Sequence, residues 1–101
     1  MRFAKVTMLT ALFGWFAMPT YAADIEHGKT LATACAACHG AKGISHSPLW
    51  PNLAGQKAAY LEKQLKDFRN DVRKDPMMTA MAKSLSDEDI VNLAAYFSSL
   101  K

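Results

Sequence analysis

The stretch ACAACHG, residues 34–40, contains the only two cysteines of the 101-residue chain, Cys35 and Cys38, followed directly by His39. Four kinds of site use such residues: a disulfide, a zinc site, a thiol redox pair and a covalently attached cofactor. A disulfide between residues three apart closes a very short loop and constrains the unfolded chain little. We therefore do not expect a structural disulfide at this pair.

Zinc and thiol redox chemistry also match the stretch poorly. A closed structural zinc site takes four ligands, and the adjacent Cys38 and His39 do not easily reach one ion. The other histidines, His27 and His46, form no second ligand pair, and we expect both at the surface. A thioredoxin-like Cys-x-x-Cys begins a helix within a β/α pattern, and no alternating run of residues predicts a strand here.

The fourth kind of site, a covalent cofactor, fits every residue of the pattern. Cys-x-x-Cys-His is the attachment motif of c-type haem. Two thiols on one helical turn match the separation of the two vinyl groups of the porphyrin, and the imidazole that follows is then held at the iron. Because both cysteines lie in this motif, we predict one covalently attached haem c per chain.

The N-terminal segment has the three-part layout of a secretory signal peptide. Residues 1–5 carry two positive charges, and residues 6–18 are uncharged and mostly apolar. This apolar run is shorter than the roughly 20 residues of a membrane-spanning helix, so we expect no stable membrane insertion; a retained N-terminal anchor is the alternative. We predict a signal peptide over residues 1–22, cleaved after Ala22, with Ala23 as the less favoured site, and a periplasmic product.

The remaining domain, residues 23–101, is small and close to neutral. Removal of Arg2 and Lys5 leaves ten of the twelve basic side chains against nine acidic ones, a net charge of +1. Nucleic-acid binding, which favours a strongly basic domain, is therefore not expected. A domain of this size buries a modest core and usually needs a disulfide, a metal or another addition to stabilise it.

Three segments with helical periodicity predict an all-α domain with three principal helices and long loops. The first helix is predicted over residues 24–38, with Asp24 as its cap, and the second from residue 57 to about residue 70. The third is predicted after residues 86–89, Ser-Asp-Glu-Asp, which resemble a capping box.

The connections between these helices are unusual. Asp75-Pro76 is interpreted as a break, because the residue before proline disfavours helical geometry. Residues 40–56 are rich in Gly, Ser, Pro and Asn and predict an ordered loop. A loop of that length is uncommon in a small domain without a ligand, so we expect a cofactor in the middle of the fold.

Beyond the attachment motif, the chain resembles the class I c-type cytochromes. Pro51-Asn52-Leu53 begins twelve residues after His39, the spacing at which Pro-Asn-Leu follows the haem motif in that family. The strings PNLAGQ, AAYLEKQLKDFR and LSDEDIVNLAAYF resemble the bacterial monohaem cytochrome c-553 type and the single-haem halves of dihaem cytochrome c4. The resemblance covers essentially all of residues 23–101 and implies the class I cytochrome c fold wrapped around one haem.

The resemblance implies roles for the residues nearest the iron. Cys35 and Cys38 form the thioethers, His39 is the proximal iron ligand, and Pro51 orients its imidazole through the backbone carbonyl. A partner of this kind fixes the tautomer and basicity of a ligand histidine.

The distal ligand implied by the resemblance is a methionine. In the subgroup it is the first methionine of a Met-x-x-Met pair ahead of the Leu-Ser that opens the last helix, which is Met78 here. Met81 and then Met77 are the alternatives, since methionines in this segment also serve as adaptable core filler.

Several residues are weaker candidates for the haem pocket, because ordinary core packing explains them equally well. They are Trp50, Leu53, Tyr60, Leu65 and Phe97. Arg73 resembles a basic residue that faces a haem propionate in the subgroup, and a solvated surface arginine is the alternative. Gly28 and the last helix near residues 94–97 are expected to form the close crossing of the terminal helices.

The function implied is one-electron transfer. Histidine–methionine ligation raises the reduction potential above that of bis-imidazole ligation, and a filled sixth coordination position excludes oxygen and peroxide. We therefore predict an electron carrier and not an enzyme: a soluble periplasmic monomer that docks transiently with periplasmic or membrane-bound redox enzymes. Two alternatives stay open, a haem subunit or sensor module of a permanent complex, and a weak peroxidase or gas-binding protein if the methionine ligand is labile.

Overall fold

The computed structural model describes residues 2–10, 14 and 22–101, and the fold is built by residues 24–101. Residues 1, 11–13 and 15–21 of the predicted signal peptide, which include part of its apolar run, lie outside the described residues. The part of the chain that is described contains helices and no strand. Among those helices, none has the length and hydropathy needed to cross a bilayer.

The first predicted helix is present, but it changes geometry within its length. Asp24 caps α1 (Ile25–Leu31), and its side chain accepts a hydrogen bond from the backbone N of His27 at 3.0 Å. A 3₁₀ turn (Ala32–Cys35) follows, and then α2 (Ala36–His39). Side chains three residues apart eclipse in a 3₁₀ turn, so Ala32 and Cys35 face the same side: Ala32 belongs to the buried hydrophobic cluster, and Cys35 packs against it.

The second and last predicted helices are confirmed to within one or two residues. They are α3 (Ala58–Arg69) and α5 (Asp87–Ser99). The predicted capping box is present: the Ser86 side chain accepts from the backbone N of Asp89, and the Asp89 carboxylate accepts from the backbone N of Ser86, each at 3.0 Å.

Asp75-Pro76 does interrupt the helical pattern, because Asp75 is extended, but the sequence did not predict the further helix, α4 (Pro76–Ala82), that begins directly after it. Proline at the first helical position loses no intrahelical hydrogen bond and has the required φ. The carboxylate of Asp75 accepts from the backbone N atoms of Met77 and Met78 at 3.0 and 2.9 Å. All three candidate distal methionines therefore lie on a helix, which the sequence prediction missed.

The helices pack in pairs, α1 on α5, α3 on α5 and α3 on α4. The core that they share is a cluster of six buried residues: Ala32, Leu61, Leu93, Ala94, Tyr96 and Phe97. We call this set the central cluster. The all-α fold with helices joined by long loops is as predicted, with α4 as an addition.

The predicted crossing of the terminal helices is also present, with Gly28 at its closest point. A Cβ atom added to Gly28 would lie 2.7 Å from the carbonyl carbon of Asn92 and 2.9 Å from the Cβ of Tyr96. Only glycine permits this approach. The side chain of Asn92, which the sequence analysis did not single out, is buried and accepts a hydrogen bond from the backbone N of Asp24 at 2.8 Å.

Candidate haem site

The most informative contact of the site joins His39 to Pro51. His39 is buried at the end of α2, and its Nδ1 lies 2.8 Å from the carbonyl oxygen of Pro51. A carbonyl oxygen only accepts hydrogen bonds, so Nδ1 carries the proton and donates. In the neutral imidazole, the lone pair is then on Nε2, which is the form of histidine that binds a metal.

The Pro51 carbonyl is held in place by the loop on either side of it. The backbone N of Leu53 donates to the carbonyl of Gly43 at 2.8 Å, and the backbone N of Ser45 donates to Oδ1 of Asn52 at 2.7 Å. Gly43 has a φ of +72°, which favours glycine. No role was predicted for Gly43 or Asn52 within the loop of residues 40–56, yet their contacts hold the residue that orients His39.

The two cysteines are both free and half-buried. Cys35 packs against the central cluster, and burial, together with the neighbouring Cys38, raises the pKa of its thiol. A thioredoxin-like redox pair depends on a lowered thiol pKa, so the shift is opposite to the one such a pair needs. Within the described residues, no three His, Cys, Asp or Glu side chains converge to hold a metal ion.

The three methionines of α4 differ in exposure. Met78 is half-buried, whereas Met77 and Met81 are 54% and 47% exposed. Met78 stands four residues before the fully buried Ala82, and residues four apart lie on the same face of a helix. Of the three, Met78 therefore lies nearest the side of α4 that faces the protein interior.

The weaker pocket candidates fall into two groups. Leu53 and Leu65 are half-buried and pack against the central cluster, of which Phe97 is a member. Trp50 and Tyr60 are exposed.

Arg73 contacts the end of α3. Its guanidinium lies over the ring of Phe68, 4.6 Å from the centroid, and donates to Oε1 of Gln64 at 2.6 Å. Its role toward a propionate stays a prediction. His27 and His46 are exposed as expected, and Nε2 of His27 lies 3.9 Å from Oδ1 of Asp89.

The donor set fits a covalently attached haem. The two thiols form no disulfide, and the buried imidazole of His39 donates its Nδ1 hydrogen to the carbonyl of Pro51, which leaves Nε2 available. Exposed apolar side chains such as Trp50 and Met81 are the kind of surface that a porphyrin would cover.

Comparison with known proteins agrees with this chemistry. The family model described as Cytochrome c matches residues 25–101. This chain belongs to the cytochrome c family. It is 47% identical over 81 residues to cytochrome c-554(548) of Halomonas halodenitrificans, covering 77% of this chain and 98% of that protein.

Two other similarities are to longer proteins. The crystal structure of reduced recombinant cytochrome c4 from Pseudomonas stutzeri matches with a TM-score of 0.75 and 44% identity, covering 79% of this chain and 47% of that one. The thiosulfate dehydrogenase electron acceptor of Thiomonas intermedia is 40% identical over 101 residues, covering 99% of this chain and 44% of that protein. The chain thus spans about half the length of these two relatives.

Membership of the family establishes three of the sequence predictions. The chain has the all-α cytochrome c fold, carries one covalently bound haem c and is an electron-transfer haem protein. The resemblance to class I c-type cytochromes, including cytochrome c4, is confirmed.

Proposed function

We propose that this chain is a soluble periplasmic one-electron carrier whose haem is held by Cys35, Cys38, His39 and Met78. The observation that carries the proposal is the buried His39 with its Nδ1 hydrogen-bonded to Pro51. This contact leaves Nε2 as the ligand atom and keeps the imidazole in one orientation. The bound haem supplies a one-electron couple with a potential raised by methionine ligation.

The residues of the chain then do three things. Cys35, at the end of the 3₁₀ turn, and Cys38, on α2, would anchor the cofactor covalently, so that it does not exchange. The Pro51 carbonyl, by accepting from Nδ1, stabilises the imidazole and strengthens Nε2 as a donor. Met78 would hold the iron from α4, and a methionine kept there would exclude small molecules from the metal.

The assignment of the distal ligand is tested by three single variants. Met78→Ala is expected to abolish the red charge-transfer band of sulfur-ligated ferric haem, lower the reduction potential and admit exogenous ligands. Met77→Ala and Met81→Ala are the matched controls, because they lie on the same helix and are expected to keep the band. Loss of the band in Met81→Ala, with retention in Met78→Ala, would give the ligand role to Met81.

Export by residues 1–22 is part of the proposal. Cleavage after Ala22 leaves the nitrogen of Asp24 as a peptide amide, the group that donates to Asn92 at 2.8 Å. Cleavage after Ala23 would turn that nitrogen into the terminal ammonium. N-terminal sequencing of the secreted protein is expected to begin at Ala23.

The partners proposed are redox enzymes that the chain meets transiently. The similarity to a protein named as an electron acceptor of thiosulfate dehydrogenase supports an oxidoreductase as the donor. The same similarity favours the second candidate, a subunit of a permanent complex. Gel filtration of the native protein distinguishes them: the carrier is expected to elute as a monomer and to be reduced by added donor enzyme, whereas a subunit would co-elute with its partner.

A further inference from the structure

A lysine at the C-terminal end of the helix that carries the methionines makes hydrogen bonds to the end of α3. Lys83 follows the last residue of α4, and its Nζ donates to the backbone carbonyl of Arg69 at 3.0 Å. The same Nζ donates to Oδ2 of Asp71 at 2.5 Å. One side chain therefore joins the end of α4 to the end of α3.

Asp71 adopts a backbone conformation that usually belongs to glycine. Its φ is +58°, and within the described residues it is the one non-glycine residue with a positive φ. The backbone N of Val72 donates to the carbonyl of Asp67 at 2.9 Å, and that of Asp71 to the carbonyl of Phe68 at 3.3 Å. These two bonds form the C-terminal motif in which glycine is the common residue at the left-handed position.

An aspartate at that position is unfavourable for the local backbone compared with glycine. Its carboxylate provides something that glycine lacks, an acceptor for Lys83. Where a residue departs from the local preference and makes a specific long-range contact, the contact is the natural reason for its presence.

We propose that Asp71 and Lys83 are positioning residues for the distal methionine, because their contact holds α4 against the end of α3 and so slows dissociation of Met78 from the iron. The inference rests on the proposed role of Met78. At its other end α4 is capped by Asp75, so loss of the Lys83 contact loosens the C-terminal end and leaves this cap in place.

Because this pair is exposed, its effect on the position of α4 can be measured apart from its effect on global stability. The side chains of Lys83 and Asp71 are 47% and 56% exposed, and exposed ion pairs contribute little to global stability. Asp71→Gly also relieves the unfavourable φ. We therefore expect Asp71→Gly to leave the thermal stability of the holoprotein unchanged or raised while it loosens α4.

The experiment measures how fast imidazole displaces the methionine in the purified ferric holoprotein, followed by loss of the red charge-transfer band. Asp71→Gly and Lys83→Gln are each expected to accelerate displacement by about three- to ten-fold, the size expected for loss of one to two exposed polar contacts. Lys63→Gln is the matched control. It removes an ion pair of the same length, Lys63 to Asp67 at 2.5 Å, from α3 without touching α4.

Each outcome has a defined meaning. The inference is supported if displacement is faster in Asp71→Gly and Lys83→Gln and unchanged in Lys63→Gln. The melting temperature of Asp71→Gly must also be no lower than that of the parent. Three results would overturn it. The first is a displacement rate equal to the parent's in both Asp71→Gly and Lys83→Gln, and the second is an equal acceleration in Lys63→Gln. The third is an acceleration found only in variants whose melting temperature is lowered. If the parent protein itself lacks the band, both the methionine assignment and this inference are wrong.

Discussion

The two sides of this molecule are completed in different ways. Where α1 crosses α5, protein atoms meet protein atoms: Gly28 lies against the backbone of Asn92, and the central cluster is almost fully buried. Around residues 49–51 and on α4, large apolar side chains are exposed, with Leu49 at 80% and Met77 at 54%. On the first side the helices bury one another's apolar side chains. The second side, which we call the haem side, exposes apolar side chains that the haem would cover.

This difference shows how a domain of this size obtains a core. The helix crossing is specified by short-range packing and needs only small residues at the contact. The haem side has little regular structure between α2 and α3, and its hydrogen bonds serve to place one carbonyl beside one imidazole. The haem then provides the apolar surface that a small chain cannot bury alone.

Removal of both attachment points should give the largest effect. In a Cys35→Ser/Cys38→Ser variant the haem is not retained, so the exposed apolar side of the fold has no partner. We expect loss of most helicity and of cooperative thermal unfolding. Far-ultraviolet circular dichroism checks this, and native helicity in the variant would show that the helix crossing is sufficient for folding.

A change at the self-contained side should give a smaller but substantial effect. The Cβ in Gly28→Ala would lie 2.7 Å from the carbonyl carbon of Asn92, so α1 must move away from α5. We expect a loss of about 3 kcal/mol in the free energy of unfolding, at the upper end of overpacking costs. The red charge-transfer band of the ferric haem should be unchanged. Lys29→Ala on the exposed face of α1 is the control. A stability equal to that of the parent would contradict the close crossing.

Acid should slightly weaken the ion pairs that join the end of α3 to the end of α4 and to the start of α5. The hydrogen bond from Lys83 lowers the pKa of Asp71, and that from Arg69 lowers the pKa of Asp87. A lowered folded-state pKa means that the stabilisation is complete above the unfolded pKa and is lost as pH falls through the folded value. Both carboxylates are exposed, so the effect is small and weakens in high salt.

The measurement compares melting temperatures of the parent and an Asp71→Asn/Asp87→Asn variant between about pH 6 and about pH 3. We expect the parent's advantage to shrink as the pH falls. An advantage that is constant over this range would mean that neither carboxylate contributes through its charge.

The sequence predicted the parts of the fold that depend on local chemistry. Asp24, Ser86 and Asp89 cap helices as expected, because a capping hydrogen bond spans only two or three residues. Helix α4 was missed because Asp75-Pro76 was interpreted only as a break: Asp75 is indeed extended, but proline is also favoured at the first position of a helix, and a new helix begins at Pro76.

The contacts that the sequence analysis did not predict join distant parts of the chain. Asn92 accepts from the nitrogen of Asp24 across 68 positions, and Lys83 reaches Asp71 across 12. Nothing in the local pattern of either residue signals its partner. The Pro51–His39 pairing was predicted through resemblance to a family, and the structure places those two residues at hydrogen-bond distance.

The central claim is that a haem is covalently bonded at Cys35 and Cys38 beside His39. The most direct test is the mass of the protein secreted by a host that can mature c-type cytochromes, followed by mass mapping of the peptide that contains residues 34–40. The account predicts a coloured protein with the mass of residues 23–101 plus one haem, and the added mass on that peptide. A colourless protein with the mass of the bare polypeptide would contradict it.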